Sequence, residues 1–429
     1  MDVVHLNTFD ISGGAARAAY RLHSGLCSED IDSSMYVLEK SSDEATVDRF
    51  IPPADTLSGV RRRFRKWRIE GDMNTYDDSL PSGLEPFSDD RTMYGAQVVN
   101  SMPDCDVINL HWIAGFVDVG AFLEKTTQPV VWTLHDQNPF TGGCHYDYGC
   151  KKFTAKCGAC PQLGSSDVGG LSRQIWKRKQ TAYQRAGDRI HVVAPSRWLG
   201  RMARQSSLFG EFPVSVIPYG VDTEIFAPFD TAGLRRAMGI SSDEQVLLFV
   251  AESTSNQRKG FSLLLEAVEE MSIHDNVHLL SVGVTAPEVD APVPHHHLGK
   301  ITNDRLLAAI YACADLFVIP SRQDNLPNTV LESMACGTPV VGFKTGGIPD
   351  MVRPRKTGLL AETGNVRELR EAIESLIRSD DARQKMSQKC REVAVNEYAL
   401  QVQATQYQDL YARMISSEKA ETVSPSRAT

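Results

Sequence analysis

Pro320-Ser321-Arg322-Gln323-Asp324-Asn325-Leu326-Pro327-Asn328-Thr329-Val330-Leu331-Glu332-Ser333-Met334-Ala335-Cys336-Gly337-Thr338-Pro339-Val340-Val341 is the stretch whose reading decides the fold. The apolar run Ala314 to Ile319 before it reads as a buried parallel strand. A helix opens near Asn328 and stops at Gly337, and a second apolar strand, Pro339 to Phe343, begins at once. The segment is therefore strand, loop, helix, strand, with Asp324 on the loop and Glu332 on the helix. In open α/β sheets ligands bind beyond the carboxyl ends of the strands, where such loops gather. A helix start offers unpaired N–H groups and a positive dipole end to a phosphate, and a carboxylate one or two turns along accepts from sugar hydroxyls. The pattern suits a ligand that carries both hydroxyls and phosphates, such as a nucleotide-sugar.

Outward from this stretch the same alternation recurs. In the first half the strand-like runs are Val3–Leu6, Met35–Leu38, Val107–Leu110, Val130–Leu134, His191–Ala194 and Val214–Ile217. An amphipathic helix opens at Gly13-Gly14 and runs to about Leu26, another lies near Gly120–Lys125, and the segment from Asp48 to about Gln97 reads as a polar, irregular insertion. A boundary falls at Pro218-Tyr219-Gly220-Val221-Asp222. The second half restarts with strands Val246–Val250, His278–Val282 and Leu316–Ile319 and helices Phe261–Met271, Asp304–Cys313 and Val366–Arg378. Two rounds of alternation predict an α/β protein of two doubly wound domains, with the ligand site expected in a cleft. The chain of 429 residues is too long for one ordinary core.

A net charge of −9 argues against a general nucleic-acid binder. The N-terminus enters an apolar strand without a basic leader, no apolar run is long enough to span a bilayer, and nine cysteines do not look like a secreted disulfide framework. Cytoplasmic residence is the expectation. The tail after about Met414, rich in Ser, Glu, Lys and Thr, is expected to be disordered.

Five further features carry chemistry. Gly13-Gly14, between the first strand and the first helix, lets the backbone approach a ligand; a plain tight turn is the alternative. Arg258-Lys259-Gly260 places adjacent cations at a helix entrance, where they suit a diphosphate; a solvated charge pair is the alternative. His135-Asp136 follows a strand end, where a histidine can bond a reacting sugar or stabilise charge, although a lone histidine is more often structural. Cys144, Cys150, Cys157 and Cys160 form C-x5-C-x6-C-x2-C in a turn-rich loop. Structural zinc is favoured there over disulfides, an iron–sulfur cluster or free thiols; with four thiolates such a site would be closed and would only order the loop. Arg61-Arg62-Arg63-Phe64-Arg65-Lys66-Trp67-Arg68 is a basic run with two aromatics, which suits the face of an anionic membrane; nucleic acid and a solvated helix are the alternatives.

Together these residues resemble glycosyltransferase family 4, retaining enzymes of the GT-B fold, over most of the chain. The landmarks, in the family's order, are Gly13-Gly14, His135, Ser196-Arg197-Trp198-Leu199, Ile217-Pro218-Tyr219-Gly220-Val221-Asp222, Arg258-Lys259-Gly260, Asp324 to Glu332, and Gly346-Gly347-Ile348-Pro349-Asp350. The resemblance implies two Rossmann-like domains facing a cleft: residues 1–218 on the acceptor side with the Cys-rich loop, 219–395 binding the nucleotide-sugar, a helix at 396–414 packing back on the first domain, and a disordered 415–429. It implies that Glu332 binds the nucleotide ribose and Asp324 the donor sugar, and that backbone N–H groups around Asn325, Leu326 and Asn328 touch sugar or diphosphate. Lys259 with Arg258 would neutralise the leaving diphosphate, Gly13 and Gly14 would approach the donor phosphate, and His135 would sit over the sugar.

Two departures stand out. The first carboxylate is Asp324 where the family has glutamate, and Ala251-Glu252 occupies the neighbourhood of the family's phosphate-binding arginine, so Arg258 or Arg322 takes that role. The expected activity is retaining transfer (EC 2.4) to a glycan or lipid-linked acceptor in cell-surface polysaccharide biosynthesis of the exopolysaccharide or colanic-acid type, at the inner face of the membrane, with no catalytic cofactor. The alternatives are a non-catalytic sugar-nucleotide-binding scaffold or another GT-B enzyme such as a nucleotide-sugar epimerase.

Overall fold

The structure is a computed structural model that describes residues 1–81, 83–286 and 291–422. The chain divides into two units, Met1–Pro218 with Gln403–Thr429, and Tyr219–Val402. The first unit holds seven strands: β1 (Asp2–Phe9), β2 (Asp32–Glu39), β3 (Val47–Arg49), β4 (Val107–Leu110), β5 (Val130–Thr133), β6 (Ile190–Ala194) and β7 (Val214–Val216). Their order in the sheet is β3-β2-β1-β4-β5-β6-β7, all parallel. The second unit holds β8 (Gln245–Val250), β9 (Val277–Val282), β10 (His295–His297), β11 (Leu316–Ile319), β12 (Val340–Phe343) and β13 (Gly358–Ala361), in the order β10-β9-β8-β11-β12-β13 and again all parallel.

Both sheets are buried on both faces, which is why their strands read as apolar runs rather than as alternations. In the first unit Val4, Leu6, Ile108, Leu110, Val130 and Trp132 pack on one face with Tyr183 and Phe209, the rings of Trp132 and Tyr183 meeting edge-on at 5.4 Å. On the other face Val3, Val107, Val131 and Val193 pack against Leu22, Leu26, Tyr407, Leu410 and Tyr411. In the second unit Leu247, Phe249, Leu279, Val318 and Val341 form the core with Phe261, Leu264, Leu369 and Ile373. Each such aliphatic or aromatic side chain contributes about 1.5–3 kcal/mol when fully buried.

The strand orders fix where ligands can bind. In each sheet the direction of winding reverses once, between β1 and β4 and between β8 and β11. Loops that leave the carboxyl ends of two such neighbours diverge to opposite faces and open a crevice.

Three expectations need correction. The segment from Asp48 to Gln97 is not irregular throughout, because a helix occupies Thr56–Asn74, its N-terminus capped by the Asp55 side chain accepting from Ser58 N at 2.8 Å. The last helix spans Leu400–Thr422, past the Met414 at which the sequence reading ends it; of the expected disordered tail, residues 423–429 lie outside the described residues. Residues up to Val402 belong to the second unit, not only those up to 395, and the first unit resumes at Gln403. There Tyr407 and Tyr411 reach Thr133 Oγ1 at 2.9 Å and Asn109 Nδ2 at 2.7 Å, inside the first sheet.

Candidate functional site

The loops after β8 and β11 flank the reversal of the second sheet, and they carry Lys259 and Asp324. The Asn256 side chain accepts from Arg258 N at 3.0 Å and shapes the turn Gln257–Lys259 that presents both cations. Lys259 Nζ donates to Asp324 Oδ2 at 2.6 Å, and Arg258 Nη1 lies 3.4 Å from the same oxygen. Ser321 Oγ donates to Oδ2 at 3.3 Å and Asn325 N to Oδ1 at 3.2 Å. Burial alone pushes the Asp324 carboxyl up. The Lys259 ammonium and Arg258 guanidinium outweigh it and hold the group below the usual carboxylate range.

The loop is locked from beneath. Gly347 N donates to Asp324 O at 3.0 Å, and Gly346, at φ +55°, lies so close that a Cβ there would stand 1.7 Å from that carbonyl oxygen. Only glycine fits at position 346.

Arg258 is buried, and its Nη1 donates to Gln323 O at 2.9 Å, so it also braces the Asp324 loop. Lys259, one-quarter exposed, is the cation at the surface of this pair. Arg322 and Glu252 are both exposed. Glu332 lies on the helix Asn328–Ala335, buried, with its Oε2 accepting from Tyr311 Oη at 3.1 Å. Asn325 and Leu326 are buried, and Asn328 opens that helix half-buried, with no side-chain cap from Pro327. The structure thus unites Lys259, Arg258 and Asp324, and bonds Glu332 to Tyr311.

In the first unit Gly13 (φ +87°) precedes the helix Gly14–Ser28 and supplies no side-chain cap; a Cβ there would meet open space. The turn is held by the buried Asp10, which accepts from Ile11 N, Ser41 N and Ser42 N at 2.7–2.9 Å. His135 follows β5 and is buried, its imidazole driven down to about 4 by burial, so the ring is neutral at neutral pH. Asp136 accepts from Asn138 N at 2.8 Å, from Trp112 Nε1 at 3.0 Å, and bonds His145 Nδ1 at 2.6 Å. A small cavity of about 20 Å³, lined by His111, His135, Asp136 and Lys179 among others, lies beside these groups.

The buried Lys179 ties down the loop after His135, donating to Asn138 O at 2.5 Å and Thr141 O at 3.3 Å. Cys144, Cys150, Cys157 and Cys160 all occupy this loop, with burial pushing the thiols of Cys144, Cys157 (to about 11) and Cys160 up. Cys150, Cys157 and Cys160 lie near enough to Cys144 to push its thiol further up, and among the described residues no three His, Cys, Asp or Glu side chains form a metal-holding group. Cys157 packs into the main core, and Cys160 packs beside Leu163, Leu171 and Ile175.

The basic run lies in the helix Thr56–Asn74, none of whose residues is buried. Arg62 and Arg65 turn inward, to Pro53 O at 2.8 Å and to Asp118 Oδ2 at 2.6 Å. The outward side carries Leu57, Val60, Phe64 and Trp67, each 58–70% exposed, with Arg61, Arg63, Lys66 and Arg68 around them. Among the described residues no helix is long and apolar enough to cross a membrane.

Sequence reasoning missed His5, His111, Tyr311 and Lys179. His111 had a legible signal, since it follows the strand run Val107–Leu110 much as His135 follows Val130–Leu134. The other three lie inside elements and carry no local mark.

Residues 244–379 match the family model described as glycosyl transferases group 1. D-inositol 3-phosphate glycosyltransferase of Kribbella flavida is 31% identical over 335 residues, covering 72% of this chain and 71% of that relative. The same-named protein of Segniliparus rotundus is 33% identical over 177 residues, 38% of this chain and 39% of the relative, so this match spans about two fifths of that protein's length. Among solved structures, sucrose-phosphate synthase from Thermosynechococcus elongatus superposes with TM-score 0.65 at 17% identity, over 97% of this chain and 100% of that one. HepE of Anabaena in complex with UDP-glucose does so with TM-score 0.65 at 16% identity, over 97% and 100%. The fold is thus the two-domain GT-B arrangement of parallel α/β units.

Proposed function

Because the chain belongs to the group 1 glycosyl transferases, we propose that it is a retaining glycosyltransferase of the family 4 type, moving a sugar from a nucleotide-sugar to a glycan or lipid-linked acceptor. The observation that carries this reading is the Lys259–Asp324 pair at 2.6 Å, fixed where the winding of the second sheet reverses. The name of the Anabaena neighbour's complex, which includes UDP-glucose, supports a nucleotide-sugar donor.

In the proposed step the bond from the anomeric carbon to the diphosphate oxygen breaks. The acceptor oxygen bonds that carbon from the same face, and its proton passes to the departing diphosphate. Lys259 neutralises charge on the leaving oxygens where it develops, which is the largest kind of catalytic contribution a fixed cation makes. Asp324 orients Lys259 and receives sugar hydroxyls; Glu332 takes the ribose, in exchange for Tyr311. Asn325, Leu326 and Asn328 supply backbone donors. From the first unit, His135 and Gly13-Gly14 serve the reacting sugar and its phosphate. The step balances without a cofactor.

The outward side of the helix Thr56–Asn74 is read as docking on an anionic membrane, apolar side chains entering the interface and the surrounding cations meeting lipid phosphates. On this reading the protein works at the cytoplasmic face of the membrane, on lipid-linked acceptors in polysaccharide assembly.

The test is a thermal-shift screen of nucleotide-sugars, followed by transfer assays on lipid-linked oligosaccharides. A stabilising donor whose sugar is transferred with retention supports the reading. Donor binding without turnover in any acceptor assay would move the protein to a non-catalytic sugar-nucleotide binder, and no stabilisation by any donor would remove the reading altogether.

A further inference from the structure

Three imidazoles form a continuous row across the first sheet. His5 lies within β1, His111 follows β4 and His135 follows β5, three strands that are neighbours in the sheet. His5 Nδ1 stands 2.9 Å from His111 Nε2, and His111 Nδ1 stands 3.0 Å from His135 Nε2. The register explains the row. His5 is level with Asn109, two residues before His111, and Leu110 is level with Trp132, so the rings climb diagonally toward the carboxyl ends of the strands. All three are buried.

Each ring holds a single proton. Burial drives His5 and His111 well below the ordinary imidazole value and His135 to about 4. A neutral imidazole has one donor and one acceptor nitrogen, so two hydrogen-bonded contacts in series leave only two consistent arrangements, with all protons on Nδ1 or all on Nε2. The far end decides between them. Among the described residues His5 Nε2 is buried without a hydrogen-bond partner. An orphaned N–H donor in a core is rarer than an under-satisfied acceptor. His5 therefore leaves Nε2 bare and carries its proton on Nδ1, donating to His111 Nε2. His111 must then donate from Nδ1 to His135 Nε2.

We propose that His5 and His111 are positioning residues that fix the tautomer of His135, with its Nε2 occupied as an acceptor and its proton held on Nδ1. His135 is then an N–H donor through Nδ1, suited to a sugar or phosphate oxygen, and is unavailable as an Nε2 base. The functional half of this rests on His135 serving the transfer reaction; the tautomer itself does not. The other titratable groups that face the row are His23, whose ring centroid is 6.1 Å from that of His5, and Asp136, adjacent to His135.

The experiment is long-range proton–nitrogen NMR of the histidine side chains in the full-length, nitrogen-15-labelled protein near neutral pH. The expected spectrum shows a protonated Nδ1 and a bare Nε2 on His5, His111 and His135 alike. A protonated Nε2 on His111 or His135 overturns the proposal, and this reading needs no variant to fold. In His5→Phe, His111 and His135 are expected to lose their single-tautomer patterns, and an unchanged pattern overturns the relay. His111→Phe is expected to lower kcat by about ten- to a hundredfold with the donor KM unchanged, the scale of removing a hydrogen-bond partner that orients a functional histidine. An unaltered kcat alongside a changed tautomer overturns the positioning role. If His135→Ala transfers sugar at the normal rate while the wild-type spectrum is as expected, the assignment of His135 to the reaction fails and the tautomer relay stands.

Discussion

Burial and charge pull the Asp324 carboxyl in opposite directions, and charge wins because Lys259 touches it directly while Arg258 stands just beyond. The sign of the pH dependence follows. A carboxyl whose folded pKa lies below its unfolded value, about 3.9 for Asp, contributes stability that is present above that value and is lost as the pH falls through the folded pKa. Acid unfolding of the second unit is expected to steepen below about pH 4, and Asp324→Asn to flatten that limb; a mutant acid limb superposing on the wild type would contradict it. Lys259→Ala is expected to lower kcat/KM by about a hundredfold or more, on the scale of losing one fixed charge-stabilising donor. Arg258→Ala loosens the Asp324 loop through Gln323 O as well as removing charge. Steady-state kinetics of the two variants, alongside their melting curves, separate these roles: Lys259→Ala keeps its melting temperature better than Arg258→Ala.

Among the elements, the helix Thr56–Asn74 is built inside out. Its polar contacts, Arg62 and Arg65, face the body, while Leu57, Val60, Phe64 and Trp67 face solvent. Since none of these four is buried, Phe64→Ser with Trp67→Ser is expected to change stability by no more than about 0.5 kcal/mol. The same pair is expected to abolish cosedimentation with anionic vesicles, and retained pelleting would end the docking reading. The loop after β5 depends on Lys179 instead. Lys179→Met keeps the stem but takes the ammonium donor from Asn138 O, which retains Thr141 N, and from Thr141 O, an expected loss of about 1–3 kcal/mol in urea unfolding. Cys157 packs in the main apolar cluster of the first unit and Cys160 in a smaller one beside Leu163, Leu171 and Ile175.

Across the whole molecule, the first unit is completed by the end of the chain. Tyr407, Leu410 and Tyr411 cover Val3, Val107, Val131 and Val193, and two of their hydroxyls bond into the sheet. Leu410→Ala is expected to cost about 2–5 kcal/mol, the range for emptying a buried leucine site. By calorimetry the loss is expected in the transition of the first unit, with that of the second unit unmoved; equal shifts in both would show that the units do not unfold separately.

The sequence by itself determined the two doubly wound sheets, because strands buried on both faces are written as short apolar runs and their helices as amphipathic ones. It also determined the Asp324–Glu332 stretch and its neighbouring cations, because a strand-end loop needs its special residues close together in the chain. Tertiary structure decided which of those residues meet. Lys259 and Asp324 are 65 positions apart, and His5 and His111 are 106 apart; only strand order makes each pair neighbours. It also decided that Arg258 braces a loop and that Glu332 holds Tyr311. Periodicity specifies which face of an element is apolar, whereas side-chain contact depends on register and packing, which no local pattern encodes.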